Sequence, residues 1–131
     1  MKMEEAVKMQ TPKPNVENQE YWQAAGRGVL VIKRCIDCGE AHHYPRAICP
    51  FCHSANTEWQ EVAGTGVIHT YTVMRRERPS TVTAYVTLDE GPIMLTNIVD
   101  CDVDALRIGM HVKVRFADAD EGIRVPVFSP R

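Results

Sequence analysis

Residues 35–52 read CIDCGEAHHYPRAICPFC. Two Cys-x-x-Cys pairs, Cys35/Cys38 and Cys49/Cys52, are separated by ten residues. A tetrahedral ion needs four ligands, and two chelating turns brought together supply four thiolates. Gly39 follows the first pair and suits the turn that aims backbone amides at sulfur. Pro50 stiffens the second pair. The expected ion is Zn2+, with iron as the alternative, because thiolate sets of this kind also hold iron. Four sulfurs close the coordination shell, whereas a catalytic zinc keeps one position open. The site is therefore expected to be structural. His42, His43 and His53 are expected as exposed loop residues, not ligands.

Upstream, VLVIKR (29–34) reads as a strand running directly into Cys35. Before it, NVENQEYWQAAGRG predicts a short helix over about 17–26, capped by Asn15 or Asn18 and stopped by Gly26 and Gly28. Residues 1–16 hold Pro12 and Pro14 and show no period, which predicts a flexible arm. Downstream, the period changes to two. TEWQEVAG, GVIHTYTVMRR, TVTAYVTLD, IMLTNIVD, HVKVRFA and IRVPVF alternate between turn residues. Val67, His69, Tyr71 and Val73 are expected on one face of the longest strand. DVDALRIGM suits a short helical turn starting at Asp102.

Short strands at this spacing suggest a small closed barrel, since closure removes unpaired edges. The expected fold is mainly β: an N-terminal helix, a rubredoxin-like zinc ribbon, then a five-stranded OB-fold barrel. An SH3-like barrel is the alternative. The expected division is an arm (1–16), helix and ribbon (17–56) and barrel (57–131).

Composition limits the function. The chain has 131 residues and a net charge of −2. Residues 1–27 carry four basic and four acidic side chains, residues 28–58 three of each, and residues 59–131 eight against ten. No segment has the basic excess that phosphate-backbone binding needs. A single-stranded nucleic-acid binder is the rival class, with Tyr71 and Tyr85 available to stack, but the charge argues against it. The apolar run VLVI is far too short for a membrane span, which takes about 20 residues. The N-terminus mixes charges without an apolar core, so no secretory signal is read and a cytoplasmic location is expected. In that compartment paired cysteines read as metal ligands. No βαβ pattern surrounds either pair, which removes a thioredoxin-like reading. No Ser/His/Asp set, phosphate loop or carboxylate pair stands out, so no catalytic residues are assigned. His69 and His111 are expected to be packing histidines, and Cys101 a half-buried thiol.

The order of motifs carries a resemblance. A helix with YW leads to GVL, CxxCG, YPRxxCPFC, then WxxVxGxGxIxTYTV (59–73), VxLDEGPxxLTNI, IGMHVKVRF and a closing VPVFSP. Over about residues 18–130 this resembles the "domain of unknown function 35" family, acyl-CoA-associated OB-fold proteins with a rubredoxin-like zinc ribbon. The resemblance implies a small, non-catalytic accessory subunit of a thiolase-fold acyl-CoA enzyme, forming a hetero-oligomer and binding CoA or acyl-CoA at most as a ligand. It also implies that Cys35, Cys38, Cys49 and Cys52 hold the metal. On residue chemistry, Arg75, Arg76 and Arg78 in RRERPST are candidates for CoA phosphates, as is Arg46 within the ribbon. Tyr21 and Trp22 are candidate aromatic anchors for a partner.

Overall fold

The apolar residues Leu30, Val31 and Ile32 of GVLVIKRC are buried, and the chain achieves this by laying a helix and a second strand against them. The computed structural model describes residues 11–76 and 80–131. Helix α1 is Gln19–Gly26. Asn18 occupies the cap position without a side-chain cap. Asn15 does the turning instead, accepting the amides of Glu17 and Asn18 at 2.9 and 3.0 Å. The helix ends where the amides of Arg27 and Gly28 return to the carbonyls of Ala24 and Ala25. Gly28 has φ of 78°, open to glycine because it has no Cβ. Tyr21, Ala24 and Ala25 are buried.

Strand β1 (Leu30–Cys35) is flanked by β2 (Ala41–His42) and β3 (Thr57–Val62) in the order β2-β1-β3. All six residues of β1 pair antiparallel with β3, from Leu30 opposite Val62 to Cys35 opposite Thr57. TEWQEV thus belongs to the ribbon sheet, although the expected division places it with the barrel. Its register follows from β1, which has only a two-residue partner on its other edge.

The remaining five strands are β4 (Thr65–Met74), β5 (Thr81–Leu88), β6 (Ile93–Ile98), β7 (His111–Asp118) and β8 (Arg124–Pro130). They close as β4-β5-β6-β8-β7, with β7 pairing back onto β4. The β6–β8 pair is parallel, at Ile98 and Phe128, and the other neighbours are antiparallel. This is the five-stranded OB barrel. Strand β5 shows how the sequence builds it: Val82, Ala84, Val86 and Leu88 are buried while Thr83 and Tyr85 face out. Strand β4 departs from the expected single face. A register shift between Ile68 and Thr70 advances the alternation by one residue. Gly66 and Ile68 are buried before it, His69 is exposed, and Tyr71 and Val73 pack on the core after it.

One core cluster runs through all three parts, joining Tyr21 and Ala24 of α1, Leu30 and Ile32 of β1, and Val86, Met94, Val112 and Phe128 of the barrel. Asp102 starts a 3₁₀ turn (Val103–Ala105) and accepts the Asp104 amide at 3.0 Å. His111, expected to pack, is exposed like His69. No helix among the described residues is long and apolar enough to cross a membrane.

Candidate metal centre

Strand β1 delivers Cys35 at its last residue, and the chain then turns twice in the same way. The Cys35 amide donates to the Glu40 carbonyl and the Gly39 amide to the Cys35 carbonyl, both at 2.9 Å. In the second knuckle the Cys49 amide donates to the Ser54 carbonyl at 2.8 Å and the His53 amide to the Cys49 carbonyl at 2.9 Å. Gly39 and His53 hold equivalent places, with φ of 80° and 67°. Glycine accepts that backbone freely, and histidine is among the residues enriched there. The role of His53 is one that sequence reasoning missed. It is exposed, as expected, but its backbone completes a knuckle.

Asp37 ties the two knuckles together. Its carboxylate accepts from Ser54 Oγ at 2.5 Å and from Asn56 Nδ2 at 3.3 Å. Those two bonds hold its carboxyl below the usual range. No signal in the Cys-x-x-Cys spacing marks this contact.

The four sulfurs lie within 4.8 Å of one another. Cys35 Sγ is 3.5 Å from Cys52 Sγ, and Cys38 Sγ is 3.7 Å from Cys49 Sγ. A tetrahedron with metal–sulfur bonds of about 2.3 Å has edges of about 3.8 Å. Backbone amides point at two of the sulfurs: Cys38 N at Cys35 Sγ, 3.5 Å, and Phe51 N at Cys49 Sγ, 3.4 Å. Desolvation pushes the Cys49 thiol up, but the amides of Cys52 and Phe51 outweigh it and bring it down to about 7. Thiolate is the form a metal needs. Cys35 and Cys49 are buried and Cys38 and Cys52 exposed. The residues present fit a four-thiolate metal site with no open position.

Between the knuckles, the expected exposed histidines are not exposed. His42 is 5 % exposed. His43 lies under α1, its Nε2 2.9 Å from Tyr21 Oη. Tyr44 Oη accepts from Asn18 Nδ2 at 2.8 Å and from Trp22 Nε1 at 3.0 Å. The correction has a physical cause: α1 presents Tyr21 and Trp22 inward and sideways, and HHYP is the segment that fills their hydrogen bonds. Tyr21 is 3 % exposed, so its ring has no face free for a partner. Trp22 is half-buried.

Burial, with His42 beside it, lowers the His43 imidazole to about 4 from the ordinary 6.5. A base with a depressed folded-state pKa is protonated first in the unfolded chain, so stability falls as pH drops through that window. Lowering pH from 6.5 to about 5 should remove on the order of 1–2 kcal/mol from this group. Urea titrations of the wild type and His43→Gln at both pH values read the difference. An equal pH slope in the two proteins refutes the assignment.

The arginines are spread apart. Arg46 is exposed between the two knuckles. Arg75 and Arg76 are exposed just past the C-terminal end of β4. Arg75 pairs with the exposed Asp104 at 3.4 Å. Arg78 lies outside the described residues, as do residues 1–10 of the expected arm. Cys101 is half-buried and burial raises its thiol.

Two family models match in tandem: "ChsH2, rubredoxin-like zinc ribbon domain" over residues 22–58 and "ChsH2, C-terminal OB-fold domain" over residues 59–117. A DUF35 domain-containing scaffold protein of Methanocaldococcus jannaschii is 33% identical over 109 residues, 74% of this chain and 77% of the relative. A probable enoyl-CoA hydratase alpha subunit of Thermomonospora curvata is 36% identical over 97% of this chain. The chain spans 42% of that relative's length. Among solved structures, a chain of the Ltp2-ChsH2(DUF35) aldolase superposes with a TM-score of 0.81 at 35% identity, covering 92% of this chain and 98% of that one. A DUF35 protein of Sulfolobus solfataricus shares the fold at TM-score 0.64 and 11% identity.

Proposed function

This chain belongs to the DUF35 family of scaffold proteins with a zinc ribbon and an OB-fold domain, and from that premise we propose a non-catalytic accessory subunit of a thiolase-fold acyl-CoA enzyme. The carrying observation is the superposition, over 92% of this chain and 98% of the other, on a chain of the Ltp2-ChsH2(DUF35) aldolase. The scaffold description of the archaeal relatives supports the same reading. The hydratase name of the Thermomonospora relative supports an acyl-CoA setting. Cys35, Cys38, Cys49 and Cys52 hold Zn2+, which crosslinks the two knuckles and supplies no chemistry to a substrate. The acid–base and nucleophilic groups of the reaction belong to the partner.

The chain's own contribution is positional. The exposed arginines offer guanidinium groups to the CoA phosphates, with Arg75 and Arg76 beside the β4–β5 turn and Arg46 on the ribbon. The Arg75–Asp104 pair is solvent-exposed and holds the side chain only weakly. Phosphate contacts far from the reacting carbon give mostly uniform binding. Changing Arg75, Arg76 and Arg78 together to glutamine should therefore raise KM for acyl-CoA several-fold and leave kcat nearly unchanged. A fall in kcat at constant KM contradicts this role.

Co-expression with a thiolase-fold enzyme of the same genome, followed by size-exclusion chromatography and an acyl-CoA cleavage assay, tests the whole. The expected result is co-elution, with an interface burying at least about 1,200 Å². Separate elution, with the large enzyme fully active alone, overturns the proposal.

A further inference from the structure

The outer wall of the barrel is divided by charge. On β7, His111, Lys113 and Arg115 alternate with the inward Val112 and Val114 and stand exposed. Strands β4, β5 and β6 neighbour one another in the barrel, and their register lines up the outward side chains in rows. Thr70 stands opposite Tyr85, and Tyr85 opposite Leu95. Thr72 stands opposite Thr83, and Thr83 opposite Asn97. Thr87 stands opposite Ile93. None of these side chains is charged, although charged residues make up 24% of the chain. Tyr85 is 45% exposed, Leu95 56% and Ile93 43%.

The uncharged wall continues onto the ribbon. A cleft of about 500 Å³ lies between the β5–β6 turn and the ribbon. Ile93 lines it from the barrel, and Phe51, 60% exposed, lines it from the second knuckle. Four large apolar side chains thus follow one another across both parts of the chain: Phe51, Ile93, Leu95 and Tyr85. Together they leave on the order of 400 Å² in water, the size of a functional patch on a monomer. Glu40 and Glu90 also line the cleft, against the single guanidinium of Arg34. Arg34 already donates through Nε and Nη1 to Gln60 Oε1 and the Gly39 carbonyl, each at 2.6 Å. The cleft therefore carries a surplus of negative charge.

Charge and shape together choose the occupant. The wall lacks the basic side chains that a nucleic-acid face needs. A second copy fits badly. A two-fold contact would set cleft against cleft, or cleft against the strand wall, and neither fills the cleft. A protruding apolar segment with a basic side chain beside it does fill it, carried on a protein surface that also covers Leu95 and Tyr85. We infer that this surface is where the chain docks on its enzyme, with such a segment seated between Phe51 and Ile93. The inference rests on the accessory-subunit reading above. The threonine rows extend the wall toward the roughly 800 Å² per partner that a stable interface buries. A tyrosine ringed by uncharged side chains has the composition of an interface core.

The test compares Leu95→Lys and Phe51→Ser with the wild type, each as the full zinc-loaded chain, against the co-expressed thiolase-fold enzyme. Size-exclusion chromatography and calorimetric titration read the complex. Each variant should weaken it at least about ten-fold. Lys113→Glu, on the charged wall, should change Kd by less than about three-fold. Zinc content and the urea midpoint check that the variants fold. Should either misfold, oxidative footprinting of the wild type gives the second readout: Phe51, Tyr85 and Leu95 must be protected in the complex and His111 not. Leu95→Lys and Phe51→Ser chains that bind like the wild type overturn the docking face and leave the scaffold role standing. Protection confined to β7 does the same. A chain that elutes alone as a dimer, split by Leu95→Lys, overturns it too and gives the wall to a second copy. A wild-type chain that never co-elutes with the enzyme overturns the accessory reading and this docking face with it.

Discussion

Cys49→Ser should unfold the ribbon and strip the chain of its metal. The wild type is expected to hold about one zinc per chain on Cys35, Cys38, Cys49 and Cys52. Zinc binding contributes on the order of 10–16 kcal/mol to the folding of small four-ligand peptides. The net stability of a domain this size is about 5–15 kcal/mol, so losing the ion is enough to remove all of it. Cys49 is the sharpest choice because it is 0% exposed and receives the Phe51 amide. A serine there leaves a buried hydroxyl and three thiols at one point. The damage should not stop at the knuckles. β1 ends on Cys35, and its Leu30 and Ile32 belong to the same core cluster as Val86 and Phe128 of the barrel. Elemental analysis should show zinc in the wild type and none in the variant. Limited proteolysis should then cut within residues 35–57. A variant that keeps its zinc, or resists the protease like the wild type, defeats this account.

Gly66→Val should open the barrel. A Cβ at Gly66 would stand 2.3 Å from the Thr87 carbonyl oxygen, 3.0 Å from Val86 Cγ1 and 3.1 Å from Leu88 Cα. Two of those three are backbone atoms of β5, which cannot step aside without breaking the β4–β5 ladder that pairs Gly66 with Leu88. Gly66 also pairs with Val112 of β7, so the same residue sits where the barrel closes. Overpacking a filled core costs about 1–3 kcal/mol, and more where backbone must move. We expect a loss of about 3 kcal/mol or more, read as a fall in the urea midpoint at constant m-value. A loss under about 1 kcal/mol would mean that β4 and β5 give way easily at this point. Gly64, the other glycine of the GxG, is needed for a second reason. Its φ is +79°, and a Cβ there would meet Val114 Cγ1. The motif is thus a close-approach device on both sides of β4's first residue, Thr65.

How much of this was legible depends on the range of each interaction. The thiolate set is written in local spacing: each Cys-x-x-Cys is one turn, and the turn brings its own two sulfurs together. The barrel strands are written in alternation, because a two-residue period is what a wall with one buried face requires. Where one extra residue entered, between Ile68 and Thr70, the alternation by itself pointed to the wrong face.

What needed the tertiary structure was every group whose partner is far along the chain. His43 looks like a loop residue until Tyr21 of α1, about twenty residues earlier, comes alongside and bonds it. Tyr21 looks like a surface anchor until the same packing buries it. TEWQEV alternates like any barrel strand, and only β1's open edge draws it into the ribbon. His42 and Glu90 line one cleft although 48 residues separate them. The sequence by itself determined the four-cysteine set and the strand walls, because these follow from covalent spacing and the local period. The tertiary structure decided which polar groups are buried and which of them find a hydrogen-bond partner, because both depend on what the rest of the chain brings alongside.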